Sequence, residues 1–429
     1  VLNGKTQEVE ILTLEDCLRI GIDNNLSLEG KRKEIQKSKY GVSENRSKLL
    51  PQINAIAGYN NNFDPPVSVT DGSSYGVPYN ITKTLQHSAN AGLEMQMPLF
   101  NQTLYTSMSI AKVMEEISRL SYGKAREDVI LQISKMYYLG QVTAEQIMLI
   151  KANITRLEEL RDITQAFFDN GMSMEVDLKR VNINLENLKV QYDNAQAMMK
   201  QQLNMLKYIM DYPAEKEIAL TPVNTDSITT VALTGLSENI YELQLSQSQV
   251  QLAERQKKII TNGYIPSLSL TGSWRYAAYT DKGYHWFHSG PSNQWFRSYG
   301  VGLTLRIPIF DGLDKTYKIK KAMIDIENKR LAWEDARKNL QTQYLNAVND
   351  LMNNQRNFKK QKDNYLLAED VYAVTSDRYR EGIASMTEVL QDEMQMSEAQ
   401  NNYISAHYNY RVTNLMLLKL TGQIESLVK

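Results

Sequence analysis

The chain has 429 residues, a formal net charge of −1 and a mean hydropathy of −0.44, and that length has room for two or three ordinary domains. No basic field points to nucleic acid, and no run approaches the roughly 18 apolar residues of a membrane helix, so a place in a membrane would require a barrel or a surface anchor. A single cysteine, Cys17, excludes an internal disulfide and a cysteine-based metal cluster; amid Leu14, Leu18 and Ile22 it reads as a packing residue.

In chain order, Val1 opens the sequence without a basic segment and apolar core, so a signal peptide is expected to have been removed. Thr13 is an expected N-cap, with Glu15 and Asp16 suiting the positive end of a helix starting near Leu14. Leu50-Pro51-Gln52-Ile53 leads into a strand over about 52–62, with Ile53, Ala55, Ala57 and Tyr59 on one face. After a polar and aromatic loop (63–87), a strand over 88–97 sets Ala89, Ala91, Leu93, Met95 and Met97 against Ser88, Asn90, Gly92, Glu94 and Gln96. Alternation of period two gives a strand with one apolar and one polar face. Met97-Pro98-Leu99-Phe100-Asn101 closes it. A proline-free span then runs to Gly171, long enough for a helix on the order of 100 Å. A second helical stretch covers 173–210, and 211–235, with Pro213 and Pro222, reads as a linker.

The pattern then returns. A helix begins near Leu236, and Ile265-Pro266-Ser267-Leu268 opens a strand over about 267–277. There Leu268, Leu270, Trp274 and Tyr276 oppose Ser267, Ser269, Thr271, Ser273 and Arg275. A loop (277–297) precedes a strand over 298–307, with Tyr299, Val301, Leu303, Leu305 and Ile307 on one face. Ile307-Pro308-Ile309-Phe310-Asp311 borders it, and helices follow to Gly382 and over 385–420, with a tail at 423–429. Matched anchors, including Leu206-Lys207 with Leu418-Lys419, are offset by 215, 210, 211 and 212. The chain is a duplication: 1–210 and 236–422 each hold helix, strand, strand and helix. Glycines 171 and 382 read as helical hairpin tips.

Strands of about 10 residues suit a tilted transmembrane strand, and Trp274, Trp286 and Trp295 are expected near one end as an interfacial girdle. Four strands cannot close a lipid-facing barrel, and an open edge in lipid costs several kcal/mol per unpaired group, roughly. Two chains give eight strands and three give twelve, and geometry alone does not choose. Along the later long helix Tyr344, Leu351, Phe358, Tyr365, Tyr372 and Tyr379 keep a seven-residue register, which argues for coiled-coil packing. The matched first-copy positions, Ile133, Gly140, Ile147, Ile154, Arg161 and Phe168, keep it in part.

Catalysis is not expected: there is no glycine-rich phosphate loop, HExxH, GxSxG or nucleophilic cysteine context. His285 and His288 lack a third metal ligand, His87 and His407 stand alone, and Met198, Met199, Met205 and Met210 fall in a helical pattern that reads as packing. No cofactor or metal is expected. A soluble coiled-coil scaffold would explain the helices and ignore the strands.

The order Leu12-Thr13-Leu14-Glu15-Asp16-Cys17-Leu18, Asn24-Asn25, the Leu-Pro and Pro-Leu-Phe strand borders and the two glycine tips resembles the TolC family of bacterial outer-membrane efflux proteins. The resemblance implies an α+β homotrimer in the outer membrane: a 12-stranded barrel in lipid and a long helical coiled-coil tunnel in the periplasm. It also implies docking to a periplasmic adaptor and an inner-membrane pump in a tripartite efflux system, or service as the channel of a type I protein secretion system. Carried over by position, Gly171-Met172-Ser173 and Gly382-Ile383-Ala384 are the adaptor-binding tips. Asp177 and Glu388, six residues after each glycine, are periplasmic gate or lumen-ring acids, and Tyr379 is a gate tyrosine that reaches Asp177. The chain departs from the best-known pattern at Ala384, where an arginine stands, and at Gln391, where a second ring acid stands.

Overall fold

The structure, a computed structural model, describes residues 9–223, 235–281 and 295–428; His285, Trp286 and His288 fall outside them. The elements in order are β1 (Glu10–Leu12), α1 (Leu14–Asn24), α2 (Leu26–Ser47), β2 (Gln52–Asn61), β3 (Val67–Asp71), β4 (Tyr79–Lys83) and β5 (His87–Phe100). Then come α3 (Gln102–Asp169), α4 (Glu175–Met210), β6 (Ile218–Leu220), α5 (Tyr241–Asn262), β7 (Ser267–Thr280), β8 (Trp295–Arg306), α6 (Asp314–Arg380) and α7 (Met386–Leu420).

Compactness divides the chain across the two copies. One unit comprises Gln36–Ile117 and Ser248–Arg330. Its centre is an antiparallel sheet in the order β2-β5-β7-β8. The register aligns the alternating faces across all four strands. Ile53 faces Met95, Leu93 faces Trp274, and Trp274 faces Tyr299 on one side, while Asn54, Glu94, Ser273 and Gly300 line up on the other. The apolar face is bare on β8, with Val301 at 80% and Tyr299 at 78% exposure, while Met95, Leu268 and Leu270 are half-buried. On the polar face Arg275 pairs with Glu94. Among the described residues both outer strands, β2 and β8, have an open edge.

Three sequence expectations change in this unit. Strand β5 runs on through Pro98 to Phe100, because a register shift between those residues forms a bulge that accommodates the missing N–H. The 63–87 loop holds a hairpin of its own, β3 with β4. Trp274 sits at mid-strand opposite Leu93, and Trp295 pairs further along with Ala278. The described tryptophans therefore do not form one girdle.

The other unit comprises Val1–Ile35, Ser118–Gln247 and Leu331–Lys429. A capping box starts α1: Asp16 N–H donates to Thr13 Oγ1 at 3.1 Å, and Thr13 N–H donates back to Asp16 Oδ2 at 3.2 Å. Asn25 then splits the expected opening helix in two. Its Oδ1 accepts from Leu28 N–H at 3.1 Å and its Nδ2 donates to the Ile209 carbonyl of α4 at 2.7 Å, a side-chain competition with the helix ladder. Cys17 and Leu18 are fully buried with Ile130, Ile133, Leu206 and Leu415. Burial pushes the Cys17 thiol up to about 12, so this cysteine is inert packing. Gly21 lies against Ile133, whose Cδ1 would be 2.2 Å from an added Cβ.

The heptad on α6 is present: Leu351, Tyr372 and Tyr379 are buried and Tyr344, Phe358 and Tyr365 pack half-buried. On α3 the expected register holds at Ile133 and Gly140, both buried, and from Ile150 onward the seam is displaced by three residues. Ile150, Leu157 and Thr164 are buried, whereas Ile154 and Arg161 are half-exposed and Phe168 is exposed. The displaced seam includes polar Asn153 and Thr164, which an apolar pattern cannot reveal.

Candidate functional site

The two hairpin tips are built alike. Gly171 has φ +74° and Gly382 φ +75°, the left-handed region that glycine enters at least cost. Gly171 N–H donates to the Phe168 carbonyl at 2.9 Å and Met172 N–H to that of Phe167 at 2.8 Å; Gly382 and Ile383 donate to Tyr379 and Arg378 at the same two distances. These are paired Schellman closures, each satisfying carbonyls that a helix end leaves open. The apolar residue after each glycine usually packs back on its helix. Here it does not: Met172 is 67% and Ile383 63% exposed. Ser173 and Ala384 are half-buried, and Ala384 packs on the core beneath.

Both tips border a single cavity of about 580 Å³, lined among others by Phe167, Met172, Met174, Asp177, Tyr379 and Met386. The core below it joins the hairpins through Leu157, Leu160, Val181, Leu185, Tyr372 and Val389.

Asp177 and Glu388 occupy the same position, third in their helices, yet differ in bonding. Glu388 completes a capping box: Ser385 N–H donates to its Oε2 at 3.1 Å and Glu388 N–H donates to Ser385 Oγ at 3.3 Å. In the first copy Met174 stands at the N-cap and offers no such bond. Asp177 is left to pair with Arg180 at 3.2 Å, and Arg180 also reaches Thr387 Oγ1 of the other hairpin at 3.5 Å. Tyr379 shares the cavity with Asp177, but its hydroxyl lies 3.3 Å from Thr164 Oγ1. Thr164 spends its own proton on the Leu160 carbonyl at 2.7 Å, so Tyr379 donates to Thr164. Sequence reasoning did not find Arg180, Thr387 or Thr164, whose only trace is the Asp177–Arg180 spacing of three. His87 and His407 are not isolated either: His87 Nδ1 meets the Tyr59 hydroxyl at 2.8 Å, and His407 Nε2 accepts from Arg411 Nε at 3.0 Å. Among the described residues no histidine, cysteine and carboxylate group could hold a metal, and no helix is long and apolar enough to cross a membrane.

The sequence profile of the family described as "Outer membrane efflux protein" matches residues 20–210 and 232–423, two segments of nearly equal length. The chain belongs to that family. It is an efflux channel of the outer membrane, with its strands contributing to the barrel and its long helices to the periplasmic tunnel. The family is one of channels, not enzymes. The outer membrane protein TolC of Vibrio cholerae is 21% identical over 399 residues, spanning 89% of this chain and 84% of its own. Among solved structures, the transmembrane channel CusC superposes with a TM-score of 0.79 at 15% identity, covering 98% of this chain and 95% of its own. The outer-membrane channel OprN gives 0.77 at 14% identity, covering 95% and 89%. These likenesses show the channel-tunnel fold.

Proposed function

We propose that three copies of this chain assemble into the exit duct of a tripartite efflux system, passively conducting substrates from a periplasmic adaptor and an inner-membrane pump to the exterior. Geometry supports assembly with further copies. The open edges of β2 and β8 need partners in lipid. In the helical unit α4 exposes Val176, Ile183, Val190, Met198 and Met205, and α6 exposes Leu331, Leu345, Met352 and Leu366, at spacings of seven or its multiples with one step of eight. Such spare apolar rows suit a second coiled-coil seam with a neighbouring copy.

The observation that carries the docking assignment is the exposed Met172 and Ile383, held out by matched left-handed glycines beside one shared cavity. Gly171-Met172-Ser173 and Gly382-Ile383-Ala384 are the adaptor-binding tips in this reading. Asp177, with Arg180, and Tyr379 hold the periplasmic aperture, and Glu388 contributes a lumen charge. A Met172→Glu, Ile383→Glu variant tests the tips. Outer membranes should retain the assembled channel while efflux and adaptor co-purification are lost. Native efflux by the double variant would sink the assignment.

A further inference from the structure

Helix α7 carries two parallel rows of buried residues at heptad spacing. Val389, Met396, Tyr403, Tyr410 and Leu417 form one row; Glu393, Gln400, His407, Asn414 and Thr421 form the other. The first row is apolar or aromatic and the second is polar throughout.

The rows divide their neighbours only in part: Met396 and Tyr403 of the first also meet Arg156 and Glu145 of α3, and His407 of the second lies 4.9 Å from the Phe358 ring of α6. From the first, Tyr403 stacks with Phe358 and Tyr365 at 5.8 and 5.7 Å, and Tyr410 with Phe358 at 5.7 Å. Those partners lie on α6, which is tied to α7 by the short tip at 381–385. From the second row, Gln400 and His407 address α3, in the other hairpin. Asn153 Nδ2 donates to Gln400 Oε1 at 2.7 Å, and Gln400 Nε2 donates back to Asn153 Oδ1 at 3.4 Å. Because His407 Nε2 accepts from Arg411, the ring proton sits on Nδ1, 3.4 Å from Glu145 Oε2. The Tyr403 hydroxyl donates to the other Glu145 oxygen at 3.0 Å.

A buried polar layer is a poor adhesive, since apolar residues of similar volume hold helices together as well or better. What it supplies is discrimination: each buried group that a wrong partner leaves unmatched disfavours that pairing by about tenfold. Helix α6 needs no such selection, because the short tip enforces its pairing with α7. Helix α3 does. The chain is a duplication, so α7 meets rival long helices, and the assembly proposed above brings equivalent helices of other copies beside it.

We infer that Gln400 and His407 act as an address, directing the second hairpin onto α3 of its own chain and away from the equivalent helices of neighbouring copies. Gln400 and His407 fall on an α7 interface that chain connectivity leaves open, which is where selection against alternatives has a use. The inference rests on the proposed assembly of copies.

The test reads which chain α7 sits beside. Gln146 and Asn401 side chains meet at 3.1 Å near the surface, so Gln146→Cys and Asn401→Cys can be joined with a short bifunctional thiol reagent, while Cys17, fully buried, stays out of reach. In an otherwise native channel the link should fall within one chain. Adding Gln400→Leu and His407→Leu should raise links between chains about tenfold or more. A milder pair, Asn153→Leu with Gln400→Leu, deletes one matched contact from both sides and should shift linkage the same way by less, which covers a Gln400→Leu, His407→Leu variant that fails to assemble. Links that stay within the chain in a uniform assembly would overturn the address alone. A native channel whose detergent-extracted mass is that of one chain would overturn the assembly reading together with it.

Discussion

Substituting Gly382 by alanine and by proline separates backbone strain at the tip from loss of the tip itself. No heavy atom lies within 4 Å of a Cβ built on Gly382, so alanine meets no steric clash and its cost is conformational. Holding an L-residue at φ +75° costs about 1–2 kcal/mol, offset by about 0.4–1 kcal/mol from the stiffer unfolded chain; the net is on the order of 1 kcal/mol. Proline cannot reach that φ at all. It also deletes the N–H that donates to the Tyr379 carbonyl at 2.9 Å, and the closure through Ile383 and Ala384 onto the Arg378 carbonyl goes with it. Amide exchange at Ile383 and Ala384, read beside efflux, reports both. Alanine should speed exchange roughly fivefold and leave most transport intact. Proline should abolish protection and transport while the channel still reaches the outer membrane. Full transport by Gly382→Pro would refute the reasoning, as would unchanged exchange in Gly382→Ala.

Glu388→Gln retains an acceptor for Ser385 N–H and should keep thermal stability, whereas Glu388→Ala should lose about 0.5–2 kcal/mol with the capping box. If the carboxylate faces the lumen, both variants weaken block by multivalent cations in single-channel recording, and unchanged block places Glu388 on an outer face. Glu127, 4% exposed, has its pKa raised from 4.5 to about 7, chiefly by burial, with Lys419 opposing. The folded chain therefore binds the proton more tightly than the unfolded one. Stability should fall as pH rises from about 4.5 to about 7, by up to about 3 kcal/mol. Thermal melts across that range should show the slope, and Glu127→Gln should flatten it; an equal slope in the variant would clear Glu127 of the effect.

The strands were legible because apolar and polar residues alternate with the period of two of a pleated strand, and the register then lined up Leu93, Trp274 and Tyr299 as their pattern required. The tips were legible because glycine at a helix end has few other uses. What escaped was polar. Asn25 reads as one more helical residue until its two bonds, to Leu28 and Ile209, are seen. The later part of the α3 seam was misplaced because Asn153 and Thr164 belong to it. Glu388 read as a lumen acid, and its bond to Ser385 N–H was overlooked although Ser385-Met386-Thr387-Glu388 is a capping-box pattern. Tyr379 and Asp177 were expected to meet; each instead has a partner of its own, Thr164 and Arg180.

The bare edges of β2 and β8 make the membrane-embedded part of this protein a matter of encounter. A lone chain has no completed form to wait in, because its sheet ends in two rows of backbone groups that lipid cannot satisfy. In the proposed assembly the barrel forms at a rate set by how often copies meet, and its stability depends on their number in the membrane as well as on their contacts. Sparse synthesis would leave chains stranded in the periplasm, exposed to proteases, before any of them fails as a fold.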